Sequence, residues 1–237
     1  MKMNQYVTSM EWAFVKRVLR SGYGLAAALS LAAAGGADAS LVITGVIDGP
    51  LAGGVPKAVE LYATTDIADL SFYGIGSANN GGGSAGQEFA LAGSASSGQY
   101  LYVASESEGF VSFFGFSPTF TSSTASINGD DAIELFWNGG VIDVFGEIET
   151  DGTGQPWEYT DGWAYRKPMT GPDGSTFDLD NWTFSGINAL DGTTSNSAAV
   201  NPFPVGTFSA VPEPSAFLFT GLACLLLGVR LGLSCFC

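Results

Sequence analysis

Carboxylates are the only reactive side chains that this sequence carries in large number. The chain has 237 residues, of which 23 are Asp or Glu, eight are Lys or Arg and none is His. Without histidine, the Ser-His-Asp and Cys-His nucleophile systems and the zinc sites that need imidazole are excluded. The remaining chemistry is carboxylate acid–base catalysis and the binding of hard cations through oxygen.

Two glutamates in strand-like segments, Glu60 and Glu134, are the candidates for a carboxylate-based glycan hydrolase. Such an enzyme needs two carboxyl groups that flank the scissile bond. Each glutamate can instead lie on the solvated face of a strand, or pair with Lys57 or Arg166. We adopt this second interpretation, which predicts no catalytic residues and no enzyme activity, and keep the secreted hydrolase as the alternative.

Two acidic clusters are candidates for calcium sites. Carboxylates on loops are typical Ca²⁺ ligands, although the spacing here is not that of an EF-hand loop. Water can equally solvate these groups, and Asp131 can cap backbone N–H groups in its own turn. A calcium-dependent adhesin is therefore a further hypothesis, and no cofactor is firmly predicted. The clusters consist of Asp130, Asp131 and Glu134, and of Asp173, Asp178 and Asp180.

An aromatic run and a basic pair each have a structural and a binding interpretation. The run at residues 110–116 contains four phenylalanines and could stack on carbohydrate. Packing in the core or on a short edge strand is favoured, because half of such a run must point inward. Arg166, beside Lys167, follows an aromatic strand, and we expect it to form an ion pair or to stack on a ring.

The elements that position these residues are predicted to be strands. Short β-branched and aromatic segments alternate with turn residues, and residues 40–210 show no sustained helical period. Asn138-Gly139 is the strongest hairpin signal. About nine strands without cysteine predict an all-β fold, an immunoglobulin-like β-sandwich over residues 40–191 held by an ordinary hydrophobic core. The main segments are 41–47, 58–62, 69–76, 88–91, 99–104, 132–137, 141–146 and 162–166.

The first 39 residues have the features of a secretory signal peptide. A basic patch at residues 16–20 precedes an apolar run at residues 24–36, and the small residues Ala37 and Ala39 stand before Ser40. This order predicts cleavage after Ala39. An N-terminal membrane anchor is the alternative, but the apolar run is shorter than the roughly 20 residues that a membrane span needs.

The mature part, residues 40–210, is strongly acidic. It contains 20 acidic and three basic residues and therefore has a formal charge of −17. Such a surface repels phosphate backbones, so nucleic acid is not expected as a partner. Residues 192–210 are rich in Ser, Thr, Asn, Ala and Pro, a composition that predicts a linker.

The C-terminal residues 211–237 resemble the PEP-CTERM sorting signal of Gram-negative bacteria. The resemblance rests on the motif Val211-Pro212-Glu213-Pro214, on the apolar run at residues 216–229 and on Arg230 after it. It implies a membrane-embedded hydrophobic tail that is recognised by an exosortase, a cysteine protease-like transpeptidase of the membrane. The family usually ends in several arginines, whereas Arg230 stands alone here and is followed by a tail containing Cys235 and Cys237.

Residues 41–191 resemble the lamin-tail domain as it occurs in exported bacterial proteins. The resemblance implies an immunoglobulin-like sandwich and no catalytic residues. It rests on the segments 56–62 (PKAVELY), 69–73 (DLSFY), 129–135 (GDDAIEL), 141–146 (VIDVFG) and 163–167 (WAYRK).

These patterns together predict an exported, non-enzymatic protein of the cell surface or extracellular matrix. The expected route is transport across the inner membrane, followed by exosortase sorting with at least transient membrane anchoring through the tail. The expected partners are the exosortase, and exopolysaccharide or other surface proteins.

Overall fold

The computed structural model describes residues 40–210, and within them ten strands form two sheets. The predicted signal peptide and sorting tail lie outside these residues. The single α-helix of the described part is α1 (Glu108–Phe114). The strands are β1 (Leu41–Leu51), β2 (Val55–Ala63), β3 (Tyr73–Ala78), β4 (Phe89–Ala90), β5 (Tyr100–Ala104), β6 (Phe120–Thr121), β7 (Ala132–Trp137), β8 (Gly140–Phe145), β9 (Trp163–Arg166) and β10 (Trp182–Phe184).

The larger sheet has six strands in the order β10-β9-β1-β2-β5-β6, and the smaller has four in the order β4-β3-β7-β8. Neighbouring strands are antiparallel, except that β5 and β6 are parallel. The long β1–β2 pairing places Asp48 opposite Lys57. The all-β, two-sheet prediction is therefore confirmed.

The main hydrophobic core contains residues from both sheets. Alternate residues of each strand enter it, such as Val59 and Leu61 of β2 and Ile133 and Leu135 of β7. The residues between them, such as Glu60, belong to the outer face of the sheet, as the period of two in a strand requires. The alternation of apolar and polar residues that predicts the strands thus also determines which side chains pack between the two sheets.

A second hydrophobic cluster covers the outer face of the six-stranded sheet. It combines sheet residues such as Trp163 and Tyr165 with Phe110 and Phe113 of α1 and with Phe203 from the C-terminal part. The linker prediction for residues 192–210 is wrong, because this segment packs on the sheet. Most of its residues are polar, which predicts a linker, but its two phenylalanines, Phe203 and Phe208, are buried.

The aromatic run at residues 110–116 forms a helix and its cap instead of an edge strand. Phe110 and Phe113 stand three residues apart on one helical face and are buried against the sheet, as expected for packing in a core. Gly115 ends the helix with φ 81° and donates its N–H to Val111 O. The helix has seven residues, too few for a helical period to emerge from the sequence.

Two turn regions show where local sequence determines backbone geometry. Asn138 and Gly139 have φ of 50° and 78° and connect β7 to β8, so the hairpin prediction is confirmed. The segment 69–76 is only partly a strand. Asp69 caps a 3₁₀ turn over Leu70–Phe72, which leaves Phe72 50% exposed, so the predicted strand begins only at Tyr73.

Candidate functional site

The C-terminal strap, residues 196–210, lies across the outer face of the six-stranded sheet. Its Phe203 ring meets the Tyr165 ring edge-on at 5.3 Å, and its Phe208 ring meets Tyr62 at 5.4 Å. Gly45 of β1 makes room for this contact, because a Cβ there would lie 2.5 Å from Cζ of Phe203. Only glycine therefore allows the strap to approach β1 this closely.

Polar contacts fix the strap at both of its aromatic anchors. The Asn196 side chain accepts the Phe203 N–H at 2.8 Å and donates to the Phe203 carbonyl at 3.0 Å. The indole N–H of Trp163 donates to Asn201 O at 3.0 Å. Near the other end, the Tyr100 hydroxyl donates to Phe208 O. The strap is thus an ordered part of the fold with specific partners.

Glu60 is a buried acid beneath the strap. It is 1% exposed, and its Oε1 accepts hydrogen bonds from the hydroxyls of Thr44 and Tyr165, both at 2.7 Å. Its Oε2 accepts the Gly206 N–H of the strap at 2.9 Å. Burial raises the pKa of Glu60, although these hydrogen bonds oppose the shift. A side chain of β2 therefore holds the strap directly.

The tyrosines around Glu60 are neutral hydrogen-bonding groups. Burial, and then the nearby Glu60 carboxylate, raise the pKa of Tyr100 to about 12, and the same causes raise the pKa of Tyr102 and Tyr165 further. These hydroxyls therefore keep their protons at neutral pH. The arrangement can bind and orient a peptide segment, but it supplies no activated nucleophile.

Arg166 is the centre of a second buried polar cluster. Its Nη2 contacts both carboxylate oxygens of Asp143 at 2.8 and 2.9 Å, and its Nη1 contacts Asp173 at 2.7 Å. Its Nε donates to Ile43 O at 2.6 Å, and the guanidinium lies 4.5 Å from the Trp182 ring centroid. Both the ion pair and the ring contact predicted for Arg166 are confirmed.

Asp143 is a buried charge that the sequence reasoning did not single out as a site. It is fully buried on β8 and also accepts the Ile43 N–H at 2.8 Å. Burial raises its pKa to about 6, and Arg166 opposes this shift. The available signal was an acidic residue inside an apolar strand, flanked by Ile142 and Val144. Because its partners are remote in the chain, that signal did not identify them.

The first acidic cluster does not converge on one point. The two carboxylate oxygens of Asp131 accept the N–H groups of Asn80 and Asn128, both at 2.8 Å, so its predicted capping role is confirmed. Asp130 accepts the Thr153 hydroxyl at 3.0 Å. Glu134 accepts the Ser84 hydroxyl at 2.5 Å.

The second acidic cluster is likewise divided among structural roles. Asp173 accepts from Arg166 and, at 2.8 Å, from the Asn181 amide. Asp178 caps a 3₁₀ turn by accepting the Asp180 N–H at 3.0 Å. In residues 40–210 no three Asp, Glu, His or Cys side chains are grouped so that they could hold a metal ion. Neither predicted calcium site is therefore assembled.

The two candidate catalytic glutamates do not face each other. Glu60 lies under the strap on the outer face of one sheet, whereas Glu134 lies on the outer face of the other and contacts Ser84 of the glycine-rich loop at residues 79–86. Both are buried, so their predicted solvated positions are wrong. A surface groove of about 310 Å³ lies elsewhere, beside residues 146–150 and 175–177. The pair required by a two-carboxylate hydrolase is thus not formed by these residues.

Comparison with known proteins identifies no relative: no family model, no curated protein and no solved structure matches the chain. The lamin-tail and PEP-CTERM resemblances therefore remain hypotheses based on the motifs.

The residues predicted for processing and sorting lie at or beyond the edges of the described part. Ser40 is buried, and its carbonyl accepts the Thr64 N–H at 2.9 Å. The described residues contain no helix with the length and apolar character that a membrane crossing requires. Outside the described residues lie Ala37, Ala39, Val211, Pro212, Glu213, Pro214 and Arg230.

Proposed function

We propose that the chain is an exported, non-enzymatic surface or matrix protein that an exosortase-type system sorts through its C-terminal tail. In this proposal residues 40–210 form a lamin-tail-like, immunoglobulin-like module that binds exopolysaccharide or another surface protein. The first 39 residues direct export, and Val211-Pro212-Glu213-Pro214 is the sorting motif. The tail anchors the protein in the membrane at least transiently.

The observation that carries the proposal is the docking of the strap immediately before the sorting motif. Phe208 is buried on the sheet and Val211 follows three residues later in the sequence. The fixed strap brings the end of the described residues to a defined point on the surface of the module. In this proposal the strap therefore holds the start of the sorting segment close to the cargo, which a flexible linker would not do.

The roles of the buried carboxylates support a module without catalysis. Glu60 holds the strap, Asp143 pairs with Arg166, and Asp131 caps two backbone N–H groups. Each of these groups has structural partners that a substrate would have to displace. The charge of −17 over residues 40–210 argues against a nucleic acid as the partner.

The proposed sorting function is tested by replacing the two prolines of the motif and, as a control, two prolines of the strap. In the native host, replacing Pro212 and Pro214 by Ala should make the full chain accumulate in the membrane fraction, and loss of the exosortase should have the same effect. The control replaces Pro202 and Pro204, which have the same spacing within the strap. Normal release of the Pro212/Pro214 variant would show that these residues are not the sorting motif.

The binding part is tested on the exopolysaccharide of the host. The purified protein should co-sediment with this polymer and leave its chain length unchanged. Release of sugars that disappears in Glu60→Gln or Glu134→Gln, with the fold retained by circular dichroism, would instead support the hydrolase. Undiminished sugar release by both variants would exclude the two glutamates as its catalytic pair.

A further inference from the structure

A third polar cluster lies where the β1–β2 pairing meets the turn before β7. Lys57 of β2 stands opposite Asp48 of β1, and its Nζ lies 2.5 Å from Asp48 Oδ1. The same Nζ lies 3.0 Å from Oδ1 of Asn128 and 2.8 Å from Ile127 O. The side chains of Lys57 and Asp48 are only 14% and 6% exposed.

These three side chains have complementary chemistry. Lys57 offers a primary amine, Asn128 offers a carboxamide whose carbon is bonded to the oxygen that the amine contacts, and Asp48 contacts the same amine. We propose that Lys57 and Asn128 condense to an intramolecular isopeptide bond, with Asp48 as the proton relay. This modification is independent of the sorting function proposed above.

The reaction balances without an oxidant or any added reactant. Asp48 takes a proton from the Lys57 ammonium, and the neutral Nζ attacks Cγ of Asn128 to form a C–N bond. In the tetrahedral adduct, Asp48 delivers its proton to Nδ2 and takes the second proton from Nζ, the Cγ–Nδ2 bond breaks, and one ammonia leaves. The product is an amide between Nζ of Lys57 and Cγ of Asn128, and Asp48 releases the remaining proton to the ammonia or to solvent.

The surroundings favour each step. Burial raises the pKa of Asp48, which favours the protonated carboxyl that the relay needs. The Asp161 N–H contacts the other oxygen of Asp48 at 3.3 Å and so helps to orient it. Asn128 is exposed, so the ammonia can depart directly into solvent. Holding the reacting groups together replaces a bimolecular encounter by an intramolecular one.

The bond would cross-link the two sheets of an exported domain that has no disulfide. It would join β2 of the six-stranded sheet to the turn that leads into β7 of the four-stranded sheet, across 71 residues of chain. Residues 40–210 contain no cysteine. A covalent link of this kind restricts the unfolded chain as a disulfide does, and it is not reversed by reductants.

Trypsin provides a direct test on the full chain purified in detergent and then denatured. Lys57 is the only Lys or Arg between residues 40 and 165. An acylated Lys57 is not cleaved, so we expect one peptide that extends through residue 57 to Arg166. Its mass should be lower than the sequence mass by one ammonia, and its fragmentation should show Lys57 joined to Asn128.

Three variants distinguish the bond from an ordinary ion pair. Lys57→Arg keeps the cation beside Asp48 but has no amine to acylate, so the chain should be cut after residue 57 and show no ammonia loss. Asn128→Ala keeps the Lys57 amine but removes the carboxamide that would acylate it, so this chain should also be cut after Lys57. Asp48→Asn should slow the condensation by about 100-fold or more, as for the loss of a general acid–base group. Circular dichroism checks that each variant folds.

Two results would overturn the proposal. One is cleavage after Lys57 in the wild-type chain together with an unshifted mass. The other is an ammonia loss with Lys57 still cleaved, because this would assign the loss to a succinimide at Asn128-Gly129. A normal rate of linkage in Asp48→Asn would remove Asp48 from its role as the proton relay.

Discussion

The hydroxyl of Tyr165 donates a hydrogen bond to Glu60 at 2.7 Å and, on its other side, accepts the N–H groups of Thr207 and Phe208 at 3.1 and 3.0 Å. Tyr165 lies on β9 and Glu60 on β2, so the pair spans β1 and connects both strands to the strap. A single phenol therefore links a buried acid to two consecutive backbone N–H groups of the strap.

Tyr165→Phe should release the strap while leaving the two-sheet core intact. The change removes the acceptor of the Phe208 N–H and leaves the Thr207 N–H only a 3.3 Å contact to Pro204 O, so we expect a loss of about 1–3 kcal/mol in the free energy of unfolding. Hydrogen exchange should accelerate at these two amides. Tyr159→Phe, in the core between the sheets, is the control and should leave strap exchange unchanged; equal exchange in both variants would contradict the strap role of Tyr165.

The stability of the protein should fall as pH rises from about 4 toward neutrality. Burial raises the pKa of Glu60 and of Asp143, the latter to about 6, so the folded state holds these protons at a pH where the unfolded chain has released them. The stabilisation is complete below the unfolded pKa values and is lost as pH rises through the folded ones. Each tenfold difference in proton affinity between the folded and unfolded states corresponds to about 1.4 kcal/mol.

Glu60→Gln should flatten this pH dependence because an amide does not titrate. Its cost in the free energy of unfolding should be greater at pH 4 than at pH 7, where ionised Glu60 already destabilises the wild type. Urea unfolding at both pH values measures the difference. Glu108→Gln, an exposed residue in the first turn of α1, is the matched control. A pH profile of Glu60→Gln that is parallel to the wild type would rule out Glu60 as a titrating group.

Arg166→Met should destabilise the fold by about 3–5 kcal/mol. The substitution preserves much of the apolar volume of the side chain but leaves the Asp143 carboxylate buried without its counter-charge. An unpaired buried charge strongly destabilises the folded state. Chemical denaturation compares it with Lys167→Met, the exposed neighbouring cation, which should cost less than about 1 kcal/mol. Similar values for the two variants would show that the buried pair does not stabilise the fold.

Phe110→Ala should cost about 3–5 kcal/mol because the ring is fully buried between α1 and the sheet. Val111 is the next residue on the same helix but is 39% exposed, so Val111→Ala should cost less than about 1 kcal/mol. Thermal unfolding of both variants measures the contrast. Equal melting temperatures would mean that α1 is not anchored by this ring.

Saturating Ca²⁺ should leave the melting temperature of the protein unchanged. Asp131 and Asp173 are occupied by backbone N–H groups and by Arg166, so binding calcium would first require breaking those contacts. Thermal scans with Ca²⁺, with Mg²⁺ and with a chelator make the comparison. A rise in melting temperature specific to Ca²⁺, and its loss in Asp130→Asn, would restore the first acidic cluster as a metal site.

Features governed by neighbouring residues were predictable. The alternation of Val59, Glu60 and Leu61 specifies a strand with two different faces, and Asn138-Gly139 specifies a hairpin, because strand period and positive φ are local properties. The run at residues 110–116 was predicted to pack but not to be helical. One buried face of a seven-residue helix gives too few positions for its period to be distinguished from that of a strand.

Features governed by distant partners were not predictable from pattern. Glu60 and Gly206 are 146 residues apart, and Arg166 and Ile43 are 123 apart, yet each pair is joined by a hydrogen bond. The sequence by itself determined that residues 40–210 are acidic, free of cysteine and rich in β-strands, since composition and period are properties of single stretches. Only the tertiary structure decided that Glu60 is buried under a strap and that Lys57 meets Asn128. Burial and hydrogen bonding depend on which remote segments the fold brings together.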